Sequence, residues 1–98
     1  MLTPDVPNET ISPPLPEIRG YIVFEFAKIS LAENSRRFYQ LAYQSSLWSP
    51  YCVVRTWGRL GSKKPRSLVH EFEDEDSARK WLTRQLARRL KRGYLLLG

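Results

Sequence analysis

The sequence carries one cysteine and one histidine in 98 residues. A lone thiol excludes an intramolecular disulfide. Cys52 and His70 together fall short of a zinc ligand set. No nucleophile or carboxylate arrangement accompanies His70, which reads as structural. Glycine-rich runs of phosphate-loop length are missing. No apolar run approaches the roughly 20 residues that cross a bilayer. The N-terminus lacks the basic start and apolar core of a secretory signal, so a cytoplasmic protein is expected. Carboxylates cluster only at 71–76, where a helix start accounts for them better than a paired-acid cleft does. These gaps together exclude the common catalytic sets. The expectation is a non-catalytic binding module with no cofactor, metal or small-molecule substrate.

Acidic residues are also missing from the C-terminal quarter. Residues 77–98 hold seven cations and no acid, and residues 55–70 hold five cations and no acid. Five acids sit between them, at 71–76. The net charge of +6 is therefore concentrated in two blocks. Such blocks favour a polyanionic partner. Beyond residue 16 only Pro50 and Pro65 remain of seven prolines. The other five mark residues 1–18 as a disordered or extended Pro-rich tail. Its Pro13–Pro16 segment suits a polyproline II ligand, or is a passive leader. Residues 19–98 read as one domain.

The fold expected there is α+β. About four strands form an antiparallel meander, and one C-terminal amphipathic helix packs on a face of the sheet. The first strand is placed at Gly20–Leu31, with Ile22, Phe24 and Phe26 toward the core. The second is Phe38–Ser45, with Tyr39, Leu41 and Tyr43 inward. Trp48, in the loop after it, either caps an edge of the core or sits exposed near the ligand face, and the cap is the favoured reading. The third strand is Tyr51–Leu60 and the fourth Arg66–Phe72. The helix starts in the acidic run at 73–77 and carries an apolar stripe of Ala78, Leu82, Leu86 and Leu90, with Trp81 beside it. Its arginines and lysines, Arg89 among them, read as the polar faces. Gly93 is placed to cap the helix in a left-handed conformation. The apolar tail 94–97 returns to the core or adds a strand at an edge.

The most informative stretch is Tyr51–Arg66. Strand alternation puts Tyr51, Val53, Arg55, Trp57 and Arg59 on one face. Cys52, Val54, Thr56, Gly58 and Leu60 take the other, which is small and apolar and reads as the core side. Periodicity leaves Trp57 open between a core tryptophan and an exposed stacking surface flanked by guanidiniums.

The run Arg55-Thr56-Trp57-Gly58-Arg59-Leu60-Gly61 resembles the signature of the WGR domain. Two further stretches extend the likeness. Arg37-Phe38-Tyr39-Gln40-Leu41 is similar to the family's earlier strand. Phe72, the acidic run, Ala78 and the helical apolar positions ending at Gly93-Tyr94 are similar to its C-terminal helix. Together they cover Tyr21 to Tyr94. Poly(ADP-ribose) polymerases that respond to DNA breaks contain this module, as do stand-alone bacterial proteins. Near the helix end the polymerases tend to read Lys-Thr and then Asn before an aromatic. Arg89-Leu90-Lys91-Arg92-Gly93-Tyr94 is closer to the bacterial form.

The resemblance implies a nucleic-acid-binding module, with DNA as the expected partner and RNA as the alternative nucleic acid. It implies that an exposed Trp57 stacks near a terminal ribose and that Gly58 keeps the surface open. Arg59 would contact phosphate or a protein. Arg55, Lys63, Lys64 and Arg66 form the electrostatic surround, on composition rather than motif. A second reading is a protein-interaction module that docks through the same face or through the Pro-rich tail.

Overall fold

A computed structural model describes residues 15–98 of the chain. The Pro-rich tail lies outside the described residues as far as residue 14. Five strands and one helix follow in order: β1 (Ile22–Ser30), β2 (Ser35–Gln44), β3 (Cys52–Arg59), β4 (Arg66–Glu71), α1 (Glu75–Lys91) and β5 (Leu95–Leu96). The sheet order is β4-β3-β2-β1-β5, antiparallel at every pairing. The first four strands are the expected meander. The C-terminal tail supplies the fifth, pairing beside β1 at the far edge.

β2 starts at Ser35, three residues earlier than expected. Arg36 and Arg37 look like loop residues, yet they pair with Ile29 and Lys28. The ladder runs to Ser30↔Ser35 because the intervening turn is tight. Asn34 takes φ 52° there, a left-handed conformation asparagine accepts better than most residues.

α1 packs on one face of the sheet. Ala78, Leu82 and Leu86 are fully buried against Phe24, Phe26, Tyr39, Leu41, Tyr43 and Val53. Each leucine contributes about 1.5–3 kcal/mol by leaving water. Ile18, just before β1, is buried in the same cluster. The helix begins at a built cap: the Ser77 backbone N–H donates to Asp74 Oδ1 at 2.7 Å. That bond holds the Asp74 carboxyl below its ordinary pKa.

Two sequence expectations are corrected. The helix side of β3 is the face of Tyr51, Val53, Arg55 and Trp57, not the small face of Val54, Thr56 and Gly58. The β2–β3 register sets Tyr43 against Val53, Leu41 against Arg55 and Tyr39 against Trp57. Residues opposed across antiparallel strands share a face, so the aromatic side of β2 decides the matter. Cys52 is buried all the same, on the helix-free side, where Ser46–Ser49 folds into a hydrogen-bonded loop. The second correction is Trp48. It is 85% exposed and caps nothing; its loop turns it outward beside Val69 and Glu71.

Candidate functional site

Trp57 sits where β3 leaves the helix's cover. Its ring stacks on Tyr39, directly opposite on β2, with centroids 6.4 Å apart and planes at 27°. The Arg55 guanidinium, two residues back on the same face, lies 5.0 Å from the indole centroid. Trp57 is thus half-buried. One side adds to the aromatic core, and the rest borders two recesses.

The larger recess has a volume of about 570 Å³. Lys28, Arg37, Arg55, Arg88, Arg89 and Arg92 line it with Tyr39, Trp57 and Tyr94. The smaller, about 350 Å³, shares Arg37, Trp57 and Tyr94 and adds Phe38, Gly58, Arg59, Ser62, Lys64 and Arg66. Neither lining contains a carboxylate. Six residues singled out from the sequence therefore come together here: Arg55, Trp57, Gly58, Arg59, Lys64 and Arg66. Lys63 is exposed in the β3–β4 turn and lines neither recess. Gly58 has a packing reason as well. A Cβ there would meet Phe38 Cε1 at 3.2 Å, because the Phe38 ring covers the glycine across the strand pair.

Sequence reasoning missed the residue at the floor of the larger recess. Arg89 is only 8% exposed. Its guanidinium lies 4.4 Å from the Tyr39 ring centroid and 5.7 Å from that of Tyr94. It has no ion pair among the described residues, and its Nε has no hydrogen-bond partner. Burial lowers its pKa from the ordinary arginine value, yet an arginine stays charged at neutral pH. Arg55 Nε and Tyr39 Oη are likewise buried without partners. Arg55, Arg89 and Tyr39 all line the larger recess, and their side chains are donors of the kind that suit an acceptor with several oxygens.

A signal for Arg89 was present in its spacing. It stands seven residues after Leu82 and three after Leu86, on the buried stripe with Gln85. The helix end then fixes Tyr94 against it. Gly93 takes φ 92°. Its N–H donates to Leu90 O at 3.1 Å, and the Tyr94 N–H donates to Arg89 O at 3.0 Å. This is the Schellman pattern, which turns the chain back over the last helical turn. Tyr94 is thereby placed edge-on to Tyr39, with centroids 5.9 Å apart.

Among the described residues there is no cluster of three or more potential metal ligands, and no helix long and apolar enough to cross a membrane. His70 packs at a tilt of 36° against Trp81, with ring centroids 4.5 Å apart. Burial, and then the charge of Arg55, lower its pKa.

Comparison with known proteins gives the following. The family model of the WGR domain matches residues 23–97. The uncharacterized protein y4dW of Sinorhizobium fredii (strain NBRC 101917 / NGR234) is 31% identical over 67 residues. The match covers 68% of this chain and 32% of that protein, so the chain spans about a third of the relative's length. No solved structure matches.

Proposed function

The chain belongs to the WGR domain family, and on that premise we propose that it is a non-catalytic module that binds DNA at the Trp57–Arg89 recess. The observation that carries this reading is Arg89. Its Nε is buried without a partner and no carboxylate lines the recess, a desolvation cost that is offset when a phosphate enters and accepts from the guanidinium. Arg55 and Tyr39 add unpaired donors beside it. Lys28, Arg37, Arg88 and Arg92 supply the surrounding positive field. Trp57 keeps part of its ring surface toward the recess, where a base or sugar can stack. Arg59, Lys64 and Arg66 extend the contact along the smaller recess, and Lys63 adds charge from the turn.

The test is fluorescence anisotropy with a blunt 5′-phosphorylated duplex, a hairpin-closed duplex without ends, a DNA single strand and an RNA single strand. Each is titrated at two salt concentrations, with wild type beside Trp57→Ala. Binding should weaken steeply with salt, and Trp57→Ala should cost about 1–3 kcal/mol on DNA. A preference for the open end would add end recognition to the reading, and tighter binding to RNA would replace DNA as the ligand. Weak binding that ignores both probe and mutation would reject the proposal in favour of a protein-docking role for this face.

A further inference from the structure

β4 is the edge of the sheet, and none of the described residues pairs with its outer side. Natural edge strands are usually blunted by an internal lysine, a proline, a bulge or shortness. β5, the opposite edge, has two residues. β4 has six, in unbroken register with β3, with no lysine or proline inside it. Leu68 is 47% exposed and Val69 58% exposed, on opposite faces of this strand.

The backbone groups available on that edge follow from one bond. The Phe72 N–H donates to Tyr51 O at 2.8 Å, continuing the β3–β4 register. In an antiparallel ladder, alternate residues direct their backbone groups to the same neighbour. Arg66, Leu68 and His70 therefore face β3. Ser67, Val69 and Glu71 direct N–H and C=O outward.

The sequence around this edge is charge-inverted about Val69. Lys63, Lys64 and Arg66 precede it; Glu71, Glu73, Asp74 and Glu75 follow it. We propose that two copies of the chain pair antiparallel through β4, about a two-fold axis at Val69, to form a continuous ten-stranded sheet. A two-fold axis that makes edge strands antiparallel stands perpendicular to the sheet, so opposed residues keep the same face. Centring it on Val69 sets Val69 against its own copy and Ser67 against Glu71 of the other chain. All outward N–H and C=O groups of Ser67, Val69 and Glu71 are then paired. A shift toward the N-terminus brings in Pro65, which has no N–H to give. A shift the other way leaves Ser67 unpaired. The same register carries the basic turn at Lys63–Lys64 toward the acidic run at Asp74–Glu75 of the second copy, at both ends of the interface. It gives Lys63, which lines neither recess, a partner.

This inference does not depend on the DNA reading, because its test is mass. Sedimentation equilibrium of wild type at tens of micromolar should give twice the 11.5 kDa of one chain. Val69→Pro removes the central outward N–H, which β3 does not use, and should give one chain with unchanged circular dichroism. Lys63→Glu should weaken the dimer, and adding Glu75→Lys should restore it. Val69→Cys should cross-link to itself under mild oxidation, since paired Cα atoms about 5.5 Å apart fall within disulfide reach. A wild type of single-chain mass throughout would overturn the proposal. So would a dimer that survives both Val69→Pro and Lys63→Glu.

Discussion

Arg89 holds a charge at a helical position where an apolar side chain of similar length would lie more easily. Its neighbours on the stripe are Leu82, Gln85 and Leu86, and Tyr39 and Tyr94 present their rings to it. Replacing an unpaired buried charge by an apolar chain removes a desolvation cost. Arg89→Met should therefore leave the thermal midpoint unchanged or raise it, by scanning calorimetry. The same variant should bind DNA about tenfold more weakly, the scale of one charge-assisted contact. A midpoint that falls while binding holds would mean that Arg89 serves the fold alone. The residue was hidden in the sequence because seven cations in the last 22 residues read together as a solvated face. Trp57 was visible, but its half-burial was not. Its stacking partner Tyr39 is eighteen positions away and meets it only through the β2–β3 register.

Among the elements, the helix, β1 and β2 were legible because each carries its own period, and β3 and β4 because short runs holding β-branched residues stand between turn signals. Ala78, Leu82 and Leu86 repeat at helical spacing, and Phe24, Phe26, Tyr39, Leu41 and Tyr43 alternate. The helix-facing side of β3 was not legible. Valines lie on both faces of that strand, so its local pattern leaves the choice to its neighbour. Trp48 was misread for a related reason: a loop has no period to say which way a side chain turns. The helix start gives a test at this scale. Asp74→Ala should lower the thermal midpoint at neutral pH, while Asp74→Asn should retain most of it, since asparagine caps nearly as well. The folded-state pKa of Asp74 is depressed. Its contribution is therefore present above the ordinary aspartate value of 3.8 and is lost as pH falls through the lower folded value. The gap between wild type and Asp74→Ala should close in that window and not at neutral pH, in melts run at stepped pH.

At the scale of the whole molecule, charge is sorted along the strand direction. The acidic residues from Glu71 to Asp76 stand at the end of β4 and the start of α1. Arg88, Arg89, Lys91 and Arg92 crowd the other end of the helix, beside Trp57. If DNA is held at the basic end, log affinity should fall linearly with log salt, with a slope of roughly −3 to −5 for about four or five phosphates contacted. Arg37→Ala should flatten that slope by about one without altering any preference among duplex sequences. A slope that Arg37→Ala leaves unchanged would remove Arg37 from the contact.

The acidic turn between β4 and α1 bears on timing as well as on affinity. A domain positive at one end and negative at the other is turned by the field of a polyanion before it touches it. The basic end leads, and collisions in the wrong orientation are turned away. Reversing Glu73 and Glu75 to lysine would raise the net charge yet spoil that alignment. In stopped-flow measurements at low salt, a smaller fraction of encounters would then end in capture.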